Sequence, residues 1–312
     1  MRVVCLIENT EGTNGCSYAH GLSFYIETVK HKILMDLGPS SETLENAKKL
    51  GIDLGKIDTV ILSHGHYDHS GGIIPFSKIN DKAAIYIQKT AVGEFYSDDG
   101  DEYRYIGIDK KIPALHQVRF IEGDYVIDEE LSLFVIDERS GAVPSTNFSL
   151  KEKKDDSYVQ DDFRHEQFLV LKDNDRRIIF SGCAHNGVLN ILKEYKRKTG
   201  AEPDAVISGF HLMKKTDHSD EELREIISTA EELKKYHAMF YTCHCTGIPA
   251  YQIMKNTMGD QLEYVHSGDE VTIKYRKAKK NRRNTYMKWH KIFAWATVIF
   301  FVLTMITGIK RK

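Results

Sequence analysis

The chain has 312 residues, room for one large domain or two ordinary ones, and 41% of them are hydrophobic, enough to bury a full core. The formal net charge of −2 hides an uneven distribution: from Lys274 onward there are 12 Lys or Arg and no Asp or Glu, which leaves 31 basic against 45 acidic residues before it. A body that acidic argues against a nucleic-acid partner, and five cysteines at irregular spacing argue against a disulfide framework and for a reducing compartment.

The N-terminal Met1-Arg2-Val3-Val4-Cys5-Leu6-Ile7 is too short for a signal peptide and reads as a first strand. Two strands follow across a short turn, Phe24 to Val29 and Lys32 to Met35. Ser41 to Leu50 predicts a helix, with Ser40 or Ser41 as cap and Gly51 as its end. The β-branched run Thr59 to Ser63 is a buried strand that delivers the chain into Ser63-His64-Gly65-His66-Tyr67-Asp68-His69-Ser70-Gly71-Gly72. Residues 95–165 are polar and irregular, and are expected to form an insertion near the active site. A second strand-rich half pairs Phe168 to Leu171 with Arg177 to Phe180. It continues with a helix from Gly187 to Lys198, a strand at Ala205 to Ser208, a helix from Ser219 to Lys235 and a strand at Ala238 to Thr242. Strands alternating with helices over two similar halves predict an α/β architecture.

The end of the chain differs. Ile292 to Ile309 is a run of 18 residues without a charge, close to the ~20 needed to cross a bilayer, with Trp289 before it and Trp295 inside it. The expected organisation is a catalytic domain over 1–273, a basic juxtamembrane linker over 274–291 and a transmembrane helix over 292–309. The positive-inside rule then places the protein on the cytoplasmic face of a membrane as a single-pass tail anchor, with membrane lipid as a partner.

The chemistry concentrates in His64-x-His66-x-Asp68-His69. Imidazole and carboxylate suit zinc and its neighbours. His64 and His66 are two apart and can point the same way in an extended loop, while Asp68 and His69 turn to a second metal. Four ligands are too few for two metals, so the remainder must come from strand ends later in the chain, where α/β folds expose functional groups. His185, His244, His211 and His165 are the candidates, and Cys183, Cys243 and Cys245 beside them are either thiolate ligands or small buried residues.

The loop SHGHYDHSGG resembles the signature of the metallo-β-lactamase superfamily. Met35-Asp36-Leu37-Gly38 matches the family's strand end, whose Asp supports the metal loop. HGLSFYIET, ILMDLGPSSETLENAKKLGIDL, SGCAHNGVLNIL, GFHL and CHCTG resemble a narrower group related to the archaeal dihydropterin-6-methyl-ribofuranosylaminobenzene phosphate synthase, over roughly residues 1–270. The resemblance implies a four-layer αβ/βα sandwich with divalent metals at one edge, two zinc ions or else manganese or iron. It implies His64, His66 and His185 for one metal and Asp68, His69 and His244 for the other, with Cys183 where many members carry a bridging Asp. His211 is placed at the substrate, and His66 stands where redox members carry Glu, which argues against a di-iron oxidoreductase.

The function so implied is metal-dependent hydrolysis of a small phosphoester or ester, by a hydroxide shared between the metals, with Asp68 orienting it and His211 at the oxyanion. Two alternatives stand beside it: a transferase condensing a pterin diphosphate with an aromatic amine, and a membrane-tethered metal or ligand sensor without turnover.

Overall fold

The computed structural model describes residues 1–275. Its frame is two sheets whose inner faces meet. The first has six strands in the order β1 (Arg2–Ile7), β2 (Ser23–Glu27), β3 (Lys32–Met35), β4 (Thr59–Ile61), β5 (Ala84–Gln88) and β8 (Val118–Ile121). The second has seven, running β17 (Leu262–Tyr264), β16 (Met239–Thr242), β15 (Ala205–Ser208), β14 (Arg176–Phe180), β13 (Phe168–Asp173), β10 (Leu131–Phe134) and β9 (Tyr125–Val126). Val3, Phe24, Ile26, Met35 and Ile61 from the first sheet bury against Leu169, Leu171, Phe180, Ile207 and Tyr241 from the second. Residues alternating along each strand point outward, to a helix layer on either side.

On the outer face of the first sheet lie α1 (Glu42–Lys49) and α3 (Ile73–Ser77), through Leu44, Ala47, Ile73 and Phe76. On that of the second lie α4 (Val188–Thr199), α5 (Asp220–Leu233) and α6 (Ile248–Met258), through Ile191, Leu192, Ile226, Leu233 and Met254. These are the four layers. The capping box of α5 is complete: Ser219 accepts from the Glu222 N–H while the Glu222 carboxylate accepts from the Ser219 N–H. α6 escaped the sequence reading because its 11 residues carry apolar and polar side chains with little periodicity; Pro249 in its first turn starts it.

Each sheet is antiparallel at its outer hairpins and parallel towards the other edge. The parallel strands β4, β14, β15 and β16 all end at the same side of the molecule, and the loops after them carry the motif residues. A third sheet, β12 (Ser157–Gln160), β11 (Leu150–Lys154), β6 (Phe95–Asp98) and β7 (Tyr103–Tyr105), stands beside those loops. The stretch 95–165 therefore divides: β8, β9 and β10 belong to the two main sheets, the other four strands to this third one. His66 and Gly107 form an isolated bridge that ties the end of the third sheet to α2 (Tyr67–Ser70).

One expectation is corrected. Among the described residues no helix is long and apolar enough to cross a membrane. The longest, α5, has 14 residues, about 21 Å, and is acidic along its length. The run at 292–309 that suggested a transmembrane helix lies outside the described residues. Over the described residues the fold class is accordingly an α/β sandwich without a transmembrane helix, and the lipid partner and membrane-face location that rested on that helix are withdrawn.

α4 is fastened to the loop after β10 by charge. Arg197 bonds both Glu194 carboxylate oxygens (2.7 and 2.8 Å) and Asp137 (2.6 Å). Those bonds hold the Glu194 carboxyl at about 2, below its ordinary 4.5. Because the folded value is the depressed one, this contribution is complete above about 4.5 and disappears as the pH falls towards 2. Urea unfolding midpoints measured across that interval should fall less steeply for Glu194→Gln than for the native chain.

Candidate metal centre

β4 ends at Ile61, and the chain runs through Ser63 to α2 under the control of one buried carboxylate. Asp36, at the end of β3, accepts from the Ser63 N–H, the Ser63 hydroxyl and His69 Nδ1–H, each at 2.7 Å. The backbone at Asp36 is in the left-handed region (φ 59°), which turns its side chain into the loop. Since the Ser63 hydroxyl donates to Asp36, its oxygen accepts from His64 Nδ1–H at 2.8 Å. A single anion thereby orients two imidazoles through Nδ1 and turns the Nε2 of each to the interior.

The same logic governs two histidines from the other sheet. Asn147 donates to the His185 carbonyl (2.7 Å), so its Oδ1 is free to accept from His185 Nδ1–H at 3.0 Å. Asn9 Oδ1 accepts from the Gly21 N–H (3.3 Å) and from His244 Nδ1–H (2.7 Å). The backbone is fixed behind each ring. Glu166 accepts from the His185 and Asn186 N–H groups at 2.8 and 3.0 Å. Glu8 accepts from the His244 N–H at 3.0 Å and the Tyr264 hydroxyl at 3.1 Å. Ala184, His211 and His244 all sit in the left-handed region, at φ 55°, 49° and 49°, so backbone strain gathers where the loops converge.

The result is two donor clusters. In the first, the His64, His66 and His185 rings form a triangle with centroids 4.5 to 4.9 Å apart. The Nε2 atoms of all three are buried without a hydrogen-bond partner. Burial, aided by the neighbouring imidazoles, pushes all three rings below their ordinary value, His66 to about 3, so they stay neutral with lone pairs available. In the second, His69 Nε2 and His244 Nε2 face each other at 3.2 Å, with Asp68 Oδ2 3.7 and 3.4 Å away. Burial pulls His69 down, but the Asp36 and Asp68 carboxylates outweigh it and hold the ring at about 9. Burial likewise raises Asp68, yet His69 and His244 hold it well below the carboxylate range. The field at the second cluster favours positive charge. A ring nitrogen each from His64 and His185 lies within 4.8 Å of Cys183 Sγ, as does one each from His69 and His244. Three buried Nε2 lone pairs without partners, beside a second cluster of two imidazoles and a carboxylate, are a donor set a divalent cation fits.

Seven of the sequence candidates thus meet: His64, His66, Asp68, His69, Cys183, His185 and His244. His211 joins them at the rim, its ring centroid 4.1 Å from that of His185 and its Nδ1 buried without a partner. His165 does not fit the set. Its Nδ1 accepts from the Gly65 N–H (3.0 Å), and its Nε2 bonds Asp161 (3.0 Å), so both nitrogens are engaged in holding the loop. Residues the sequence reading passed over are His20, whose Nε2 is 3.4 Å from Asp68 Oδ2, and the backing pair Asn9 and Glu8. His20 opens the quoted HGLSFYIET, so a signal for it was present; nothing local marks Asn9 or Glu8.

A cavity of about 160 Å³ opens onto both clusters, lined by His66, Asp68, Cys183, His185, His211 and His244. The third sheet contributes Ser97, Arg104, Ile106 and Leu150 to its wall, and Tyr67, His20 and Met213 complete it.

Residues 19–147 match the family model described as the metallo-beta-lactamase superfamily. An uncharacterised protein of Methanocaldococcus jannaschii is 32% identical over 265 residues, covering 81% of this chain and 93% of the relative. The chain belongs to the metallo-β-lactamase superfamily. A second relative from the same organism, named 7,8-dihydropterin-6-methyl-4-(beta-D-ribofuranosyl)-aminobenzene-5′-phosphate synthase, is 28% identical over 287 residues, 86% of this chain and 95% of the relative. A crystal structure described as a metal-dependent hydrolase of the beta-lactamase superfamily superposes with a TM-score of 0.73 at 29% identity, covering 88% of this chain and 99% of the other. The metallo-β-lactamase fold is one that carries divalent metal, and the donor clusters above agree with it.

The Asp36 node can be tested directly. Asparagine there offers one acceptor oxygen to three donors, so at least one buried donor is stranded at a cost of about 1–3 kcal/mol. Asp36→Asn should lower the urea unfolding free energy by that amount, whereas an unchanged midpoint would remove Asp36 from its central place.

Proposed function

We propose that this chain is a metallohydrolase that cleaves a small phosphoester or ester substrate at a centre of two divalent metals, zinc being the first choice on its N, O and S donors. The observation that carries the reading is the pair of donor clusters opening onto one cavity, with the Nε2 atoms of His64, His66 and His185 buried without a partner and those of His69 and His244 3.2 Å apart. His64, His66 and His185 would hold one cation, and Asp68, His69 and His244 the other. Bound there, such cations act as Lewis acids and lower the pKa of coordinated water from about 15.7 towards about 7.

The remaining roles belong to the chain's own side chains. Asp68 Oδ2 stands at the edge of the cavity between His20 and His244, 3.4 Å from each, where it can accept a proton from the attacking water and orient it. His211 Nδ1, buried without a partner, can carry a proton to an oxyanion or leaving group. Arg104 reaches the same wall from the third sheet, its Nε held by Asp99 at 2.8 Å. Arg104, Tyr67 and the histidines His20 and His211 around a cavity of about 160 Å³ favour an anionic head of phosphate or carboxylate size over a bulky neutral group.

A second reading, transfer rather than hydrolysis, rests on the 28% identity to a relative named as a synthase. In that case an aromatic amine in place of water attacks a pterin diphosphate, and diphosphate leaves. Incubation with a pterin diphosphate and an aminobenzoate-type amine distinguishes the two by formation of the coupled product.

His66→Ala should lose bound metal, measured by elemental analysis, together with turnover of a phosphodiester and ester panel; full turnover by that variant in metal-free buffer would sink the assignment. Cations that bind only the folded chain also stabilise it, by about 2.7 kcal/mol at a hundredfold excess over Kd. Chelation should accordingly lower Tm in the native protein and leave Tm of His66→Ala nearly unmoved.

A further inference from the structure

A second cavity, of about 200 Å³, is walled by α4, α5 and the loop that follows β10. It shares no lining residue with the cavity on the donor clusters. Val143, Val188, Leu189, Phe210 and Leu212 make most of its wall apolar.

One buried polar atom in that wall has nothing to bond. Asn190 is 2% exposed and gives its Nδ2 to the carbonyls of Gly141, Ala142 and Asn186 at 3.2, 3.0 and 2.8 Å. Three acceptors on one side fix which end of the amide is nitrogen. The atom left over is Oδ1, which has no partner among the described residues. Leaving such an acceptor unpaired costs about 1–3 kcal/mol. A Cβ added at Gly141 would come 2.9 Å from this oxygen and 3.4 Å from Lys193 Nζ, so acceptor and ammonium share one corner of the cavity.

The start of α4 adds donors. Its first residue follows Gly187, at φ 85°, and no side chain caps it. The Asn190 and Ile191 N–H groups both go to the Gly187 carbonyl, which leaves those of Val188 and Leu189 for an acceptor outside the helix. Helix N–H groups beside a lysine attract a carboxylate. Glu225 of α5, whose carboxylate takes the Ser145 N–H at 3.2 Å, brings a negative charge to the same wall.

We propose that this cavity is a binding site for a small apolar α-amino acid. Its carboxylate lies on Lys193 and the first turn of α4, its ammonium donates to Asn190 Oδ1 and faces Glu225, and its side chain packs among Val188, Phe210 and Leu212. An α-hydroxy acid offers the same carboxylate and a donor, but not the charge that Glu225 favours. The site needs no metal.

L-Leucine is the probe, with binding to the full chain followed by calorimetry. It should bind saturably, one molecule to a chain. Isocaproate, which lacks the donor, and leucinamide, which lacks the carboxylate, should each bind about tenfold more weakly, as loss of one hydrogen bond to a buried or charged group requires. α-Hydroxyisocaproate should fall between L-leucine and isocaproate. Lys193 is exposed, so Lys193→Leu should keep the native Tm; it should weaken L-leucine about tenfold and leave leucinamide unchanged. His66→Ala should bind L-leucine as the native chain does, whatever becomes of its metal. No saturable binding of L-leucine, isocaproate binding equally well, or native affinity in Lys193→Leu would each overturn the site. Loss of L-leucine binding in His66→Ala would place the amino acid at the donor clusters and overturn it too.

Discussion

Everything at this site follows from a problem of lone pairs. Four imidazoles each surrender their Nδ1–H to an acceptor behind them: His64 to Ser63, His69 to Asp36, His185 to Asn147 and His244 to Asn9. Each then turns its Nε2 to the interior. Two of those nitrogens face each other at 3.2 Å, and others are buried with nothing to bond. Stranding buried polar atoms costs about 1–3 kcal/mol apiece. A fold tolerates such an arrangement where cations complete it, which is why the arrangement itself is the strongest statement about chemistry that the structure makes.

The two-sheet sandwich meets this demand through where its strands stop. β4 delivers His64 to His69 from one sheet, and β14 and β16 deliver Cys183, His185 and His244 from the other. Neither sheet alone holds a complete cluster. The inter-sheet core of Phe24, Ile61, Phe180 and Tyr241 therefore does more than stabilise the fold, because it fixes the distance across which the histidines meet. The left-handed conformations at Asp36, Ala184, His211 and His244 collect around that meeting point, where ordinary backbone geometry gives way to the position of the side chains.

The superfamily and the metal chemistry leave substrate choice to the walls of the cavity, since one such site hosts many reactions. Part of those walls comes from the third sheet, whose Ser97, Arg104 and Leu150 line the cavity. The tyrosines of β6 and β7 turn the other way: Tyr96, Tyr103 and Tyr105 pack with Tyr158 on its outer face. Alternation along each strand thus gives this small sheet a catalytic side and an aromatic side.

Much of this was legible in the residues alone. The β-branched run ending at Ser63, the tight His-x-His-x-Asp-His loop and the later histidines at strand ends have short-range causes: strand propensity, ligand chemistry and the turn glycines around them. The charge-free run near the C-terminus led instead to a transmembrane helix, because hydropathy reads composition and carries no information about the fold around it; no described helix supports that expectation. Tertiary structure alone decided which lone histidines converge. His165 and His185 look alike in the chain, yet one spends both nitrogens on Gly65 and Asp161 while the other keeps Nε2 free. Asn9, Glu8 and Asn147 act from far along the chain, up to 236 residues from the group they hold. Local sequence sets which atoms can ligate, but contacts across the sandwich set the tautomers and distances that make them do so.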